Sequence, residues 1–352
     1  MNNVPNTSLV DYLLDLNEEH STAFISPDVT LARRKYRAEH PTEIAAFKCM
    51  DGRLHLPVIT ETVPGIIQPW RNLGGKFDLG WLGLAASFKD WVDYAISVGR
   101  HCLVIVTYHY ARGDEHRGCR GFDYDTTAAR EFTLNLKKQF EKVFGRSIVY
   151  TIQCGIETDA DALILHGDNG EIVDCADVLD ASDNDVRKML ERLYMEMPER
   201  ILKDIFPLIK GNIAHIKKVQ HTGRLVENAE HQERVLAVGR GFDWLHKINF
   251  ALIVGPFAPN LIEPIETAAL LLKSNIEDGR ISKEDGIVLM TSAPYRDPAG
   301  PERLLAEEKA RFLHNFSLDV ITNRVPEIVP YLQFLTTTID MHTRRVNVLE
   351  RS

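Results

Sequence analysis

The nine residues CLVIVTYHY, 102–110, limit the fold more than any other stretch of this chain. The run is apolar almost throughout, lacks strict alternation and is far too short to span a bilayer, so it reads as a strand buried on both faces. A strand covered on both faces needs helices to cover it. Helical periodicity lies on each side: Trp81, Leu84, Phe88, Trp91, Ala95 and Val98 within 79–98, and Ala129, Phe132, Leu136, Phe140 and Val143 within 126–144. Helix, buried strand, helix is the grammar of an α/β sheet that is at least partly parallel.

The rest of the chain continues that grammar. Residues 43–48 read as a strand, and 56–78 as a Pro- and Gly-rich loop with a short strand. SIVYTIQC and DALILHG read as further strands, and Ser182 caps a helical stretch to about Ile209 that is interrupted at Pro198. In the second half, KINFALIVGPFAPNL reads as strand and loop, IEPIETAALLLKSN as helix, IVLMTSAPYRDPAG as strand and loop, and PERLLAEEKARFLHNF as helix. EHQERVLAVGR and HTGRLVENAEH read as solvated helix, and residues 1–42 as a polar N-terminal arm with helical pieces.

A length of 352 residues suggests two domains. Forty-one basic against 50 acidic side chains, a net −9, argue against nucleic acid as the main partner. No apolar run reaches about 18 residues, so no membrane helix is expected. The first 20 residues lack the pattern of a secretory leader, which points to the cytoplasm and to reduced thiols. The five cysteines are then thiols or metal ligands, and Cys102, Cys154 and Cys175, in or beside apolar strands, read as small buried hydrophobes.

Chemistry gathers where strands end. Cys49, Asp51 and Arg53 follow strand 43–48 at every second position, His109 ends the strand at 102–110, and Cys119 follows in the loop. In open α/β sheets the carboxyl ends of the strands form the ligand crevice. Two thiolates, one imidazole and an open fourth position make a catalytic zinc site, whose ion would lower the pKa of a bound water. His116, three residues before Cys119, competes for the imidazole role; His109 is favoured because a strand end is the more rigid platform. Asp51 can accept a hydrogen bond at the metal's open face or become a fourth ligand, and Arg53 can hold that carboxylate bidentately and ionised.

Cys49-Met-Asp51-Gly-Arg53, then RNLGG (71–75), then His and Cys after a buried strand, resembles the β-class carbonic anhydrases. In that class a C-x-D-x-R motif with a later His and Cys binds zinc. The usual spacing puts His only three residues before Cys; here YARGDEHRG separates His109 from Cys119. That departure, together with GIETDADALILHGDNGEI and a second half without ligands, is similar to the carboxysomal shell carbonic anhydrases, an internally duplicated branch with one site lost. Setting FKCMDGRL over IVGPFAPNL and LVIVTYHYAR over IVLMTSAPYR places Pro256, Ala258, Asn260 and Ala293 opposite Cys49, Asp51, Arg53 and His109.

The resemblance implies a β-carbonic-anhydrase-like sheet with flanking helices, duplicated as an intrachain pseudo-dimer. It implies an arm at 1–42, a catalytic domain at 43–215 and a metal-free copy at 216–352. It implies one zinc per chain, reversible hydration of CO2 to bicarbonate, a homo-oligomer and association with a carboxysome shell. The N-terminal segment of about 42 residues is much shorter than the helical domain that branch carries. His55 and His116 are candidate proton carriers. Two other readings keep the same residues: hydrolysis of carbon disulfide or carbonyl sulfide, and a scaffold protein with a structural zinc.

Overall fold

Leu103, Val104, Ile105 and Val106 are all buried, as the run 102–110 requires, and their strand is central to a six-stranded sheet. The structure, a computed structural model, describes residues 8–223, 230–245 and 249–352. The strands of this first sheet are β1 (Glu43–Cys49), β2 (Ile67–Asn72), β3 (Cys102–Tyr110), β4 (Val149–Glu157), β5 (Ala162–His166) and β6 (Ile172–Asp174). Their order is β2-β1-β3-β4-β5-β6; the first four run parallel and the last two antiparallel.

Phe47 anchors one face of that sheet. Its ring stacks on Trp70 at 5.4 Å and meets the edges of Phe77 at 4.9 Å, Phe88 at 5.5 Å and Phe140 at 4.9 Å. Each such pair adds to the area it buries. Phe88 comes from α4 (Leu82–Ser97) and Phe140 from α5 (Thr126–Phe144), the two helices read from their periodicity. Trp81 and Trp91 are only partly buried against this cluster. Farther along, a capping box of Ser182 and Asp185 starts α6 (Asp183–Leu193). After Pro198, α7 runs from Glu199 to Thr222, past the expected end at Ile209 and with Pro207 inside it.

The second sheet has strands β7 (Val235–Gly239), β8 (Ala251–Val254), β9 (Ile287–Tyr295), β10 (Leu332–Asp340) and β11 (Val346–Arg351), ordered β8-β7-β9-β10-β11. Again four strands run parallel and the next antiparallel. Its helices are α8 (Ile262–Glu277) and α9 (Pro301–Arg324). Position for position, β7, β8, β9, β10 and β11 repeat β1, β2, β3, β4 and β5.

That order corrects two readings. Residues 235–239 of EHQERVLAVGR are a fully buried strand, not a solvated helix. The counterpart of β1 is therefore β7, not the apolar run before Pro256, which is the edge strand β8. β1 meets β3 at Ala45↔Val104 and β7 meets β9 at Val235↔Val288; with LVIVTYHYAR set over IVLMTSAPYR, these pairings bring Gly239 opposite Cys49. Most of HTGRLVENAEH and the start of KINFALIVGPFAPNL lie outside the described residues.

Two compact units result: Leu31–Ala229 with Phe257–Pro259, and Met1–Thr30 with Glu230–Pro256 and Asn260–Ser352. The first unit thus extends on both sides of 43–215. The described part of the segment read as an arm holds two helices, α1 (Leu9–Ile25) and α2 (Pro27–Glu39), and α1 buries Leu9, Val10 and Leu13 with the second sheet's core. Asn17 of α1 donates to the Arg344 carbonyl and accepts from the Val346 amide, both at 2.9 Å. Among the described residues no helix is long and apolar enough to cross a membrane.

Candidate metal centre

Cys49 is the last residue of β1, and His109 lies one residue short of the end of β3. The strands are neighbours, and the Thr107 hydroxyl donates to the Phe47 carbonyl at 3.0 Å between them. Cys119 arrives from the loop after β3 and opens a short turn at Arg120–Phe122, with the Phe122 and Tyr124 amides donating to its carbonyl. The two sulfurs and the imidazole lie within 4.8 Å of one another. All three residues are buried, and the sulfurs are 3.9 Å apart.

RNLGG holds this convergence together. Gly74 and Gly75 both adopt left-handed backbone at φ 64°, which glycine enters without strain. A Cβ on Gly75 would lie 3.1 Å from the Thr107 carbonyl oxygen and 3.3 Å from the Cys49 nitrogen. A Cβ on Gly121 would come within 2.6 Å of Gly74 backbone atoms. The glycines are thus the packing contact between the ends of β1 and β3 and the turn that carries Cys119.

His109 is the most telling member of the group. It is 1% exposed, and its ring nitrogens meet no nitrogen or oxygen partner among the described residues, only the Cys49 sulfur. A buried polar atom without such a partner is uncommon and calls for a ligand. Hydrogen bonding from Cys119 holds Cys49 well below the ordinary thiol range, helped by the His109 ring and opposed by burial. The same hydrogen bond, with burial, pushes Cys119 up. Two sulfurs and an imidazole with free lone pairs fit a metal ion of the borderline-soft kind.

Asp51 and Arg53 stand beside the group, 4% and 2% exposed. Arg53 donates from Nε to Asp51 Oδ1 at 3.1 Å and from Nη2 to Oδ2 at 2.7 Å, and its backbone amide adds a third bond to Oδ1 at 2.8 Å. This bidentate pair fixes the carboxylate in one plane. His116 is elsewhere: its side chain is 74% exposed, 3.4 Å from Asp114, with its ring 5.3 Å from Tyr124. His55 is buried just before the short helix α3 (Leu56–Ile59). Cys102, Cys154 and Cys175 are buried, and burial pushes each thiol up.

Two residues beside the site carried no signal in the sequence. Lys48 is fully buried one position before Cys49, its ammonium without a hydrogen-bond partner among the described residues; burial and Arg71 hold its pKa well below the usual range. The backbone carbonyl of Arg117 accepts from Arg53 Nη2 at 2.7 Å. A backbone acceptor leaves no mark on residue type, and a lysine in a strand reads as an exposed one.

No protein-family model and no curated protein matches this chain.

Proposed function

We propose that the chain is a zinc enzyme that hydrates CO2 reversibly to bicarbonate. The observation that carries this reading is the buried His109 ring, without a nitrogen or oxygen partner among the described residues and within 4.8 Å of two cysteine sulfurs, with an Asp–Arg pair beside them. Cys49, His109 and Cys119 would hold the ion. When bound, zinc acidifies water and so supplies a nucleophile near neutral pH.

The chain's own residues do the rest. Arg53 holds the Asp51 carboxylate in one plane, from which it would accept a hydrogen bond and so orient the attacking oxygen. Burial of all five groups excludes bulk water and strengthens their mutual electrostatics. CO2 is small and uncharged, so little further recognition is needed.

The matching strand orders support a second element of the reading. The two halves derive from one duplicated unit, and the second kept the scaffold without the ligands. With LVIVTYHYAR set over IVLMTSAPYR, Ala293 falls opposite His109, and the strand pairings then bring Gly239 opposite Cys49.

The test is stopped-flow CO2 hydration by protein of known metal content, with and without chelator. Activity that tracks bound zinc supports the reading. Zinc-loaded protein that leaves CO2 untouched but hydrolyses carbonyl sulfide would reassign the substrate, and zinc without either activity would reduce the site to a structural one. Replacing the orienting group gives the finer check: Arg53→Ala should keep zinc while CO2 hydration drops tenfold or more.

A further inference from the structure

The loop that separates His109 from Cys119 is tied to the end of β4 by part-buried and exposed polar contacts. Glu157, the last residue of β4 and 1% exposed, accepts from the backbone amides of Arg112 at 3.2 Å and of Asp159 and Ala160 at 2.9 Å each. Asp159 then turns to the loop. Its Oδ2 accepts from the Gly113 amide at 2.7 Å, and its Oδ1 lies 3.2 Å from Arg117 Nη1. Gly113 is the floor of this pair: a Cβ there would lie 2.6 Å from Arg117 Nη2 and 3.2 Å from Asp159 Oδ2.

The same Arg117 offers its backbone carbonyl to Arg53 Nη2, the nitrogen that also holds Asp51 Oδ2. One residue therefore joins two bonds. Its side chain fastens the loop to β4, and its carbonyl fixes the plane of the guanidinium that orients Asp51. A planar fork with acceptors on two sides has less freedom to rotate than one with a single partner.

We infer that Arg117 and Asp159 form a latch that positions the Asp51–Arg53 pair; the inference deepens the proposed hydration reaction and rests on that reading for its kinetic part. Both are positioning residues, since neither touches the metal-binding group. With the ion pair lost, the Arg117 carbonyl drifts from Arg53, and the Asp51 carboxylate loses its fixed plane while Cys49, His109 and Cys119 stay in place.

The test uses the zinc-loaded full chain with Asp159→Asn, which keeps an oxygen for the Gly113 amide but removes the charge, and Arg117→Gln. Gly113→Ala wedges the pair apart without altering any charge and serves if the first variant does not fold. Hydrogen exchange is expected to quicken about tenfold in peptides covering 50–56 and 110–119, with α4 and α5 unchanged. CO2 hydration should fall about tenfold in kcat/KM at unchanged zinc content. Asp159→Glu should restore part of the rate, and the double variant Asp159→Asn/Arg117→Gln should be no worse than either single. Additive losses in the double variant, exchange at 50–56 equal to the parent's, or zinc lost together with protection throughout the sheet would each overturn the latch. A parent that binds zinc without hydrating CO2 overturns the functional reading alone, and the exchange arm still decides the latch.

Discussion

His109 concentrates the argument at the scale of one residue. Leaving a buried polar group unpaired costs about 1–3 kcal/mol, so an imidazole buried against two sulfurs, with no nitrogen or oxygen partner among the described residues, favours a metal that takes its lone pair. His109→Ala should therefore lose both metal and activity, while His116→Ala, exposed and outside the group, should keep the metal and at most part of the rate. Zinc lost from His116→Ala and retained in His109→Ala would assign the ligand to the compact HxxC spacing instead. His166 shows the opposite situation, a histidine satisfied while neutral. Its Nε2 takes the Tyr108 hydroxyl at 2.8 Å, and burial, with Arg130 and Lys137 nearby, pushes its pKa down from 6.5 to about 4. The unfolded chain then binds the proton more readily, so the protein's stability is complete above about 6.5 and declines as the pH falls toward 4. Thermal unfolding followed across that window should show the decline, and His166→Gln should flatten it. A parallel decline in the variant would show that other groups carry the acid sensitivity.

At the scale of elements, the site is a meeting of strand ends and one turn, and glycine decides how closely they meet. Gly121 needs no unusual φ; it is confined by Gly74 backbone atoms that cannot rotate away. Gly121→Ala should destabilise the protein by about 1–3 kcal/mol, as overpacking generally does. It should also weaken zinc binding, because the displaced turn carries Cys119. Urea unfolding of the zinc-free chain and a competitive zinc titration read the two effects separately; parent-like values in both would remove the junction from the account. The ligands themselves were legible because a buried strand ending in His109, and another ending in Cys49, declare themselves by pattern. RNLGG was legible only as a motif, since the contact it makes joins residues far apart in sequence. β7 was misread because five apolar residues behind EHQER are too few to establish a period. From sequence the long α7 reads only to about Ile209, yet the buried face continues through Ile213 and Ile216 and the helix runs to Thr222, with Pro207 inside it.

At the scale of the whole molecule, two sheets with the same strand order differ in chemistry: among the described residues only the first carries a cluster suited to a metal. Both sheets run four parallel strands and then one antiparallel, in the same order, and each places a crossover helix between its third and fourth positions. That repetition was only partly visible in the sequence. The pairing of β3 with β9 could be read from two apolar runs, whereas the pairing of β1 fell on the wrong strand because β7 had not been recognised. Gly239 cannot ligate a metal, and a Cβ added there would lie 2.0 Å from the Ser292 carbonyl oxygen, so a thiol cannot be restored at that position without moving β9. With the two apolar runs aligned, Ala293 falls opposite His109, and among the described residues the Cys49–His109–Cys119 group is the one cluster suited to a metal. The chain should therefore bind about one zinc, and Cys49→Ser should abolish that binding with no residual tight site. Elemental analysis of the parent and of Cys49→Ser decides the matter: two zinc ions per parent chain, or one retained by the variant, would place a second centre in the half that the strand alignment leaves bare.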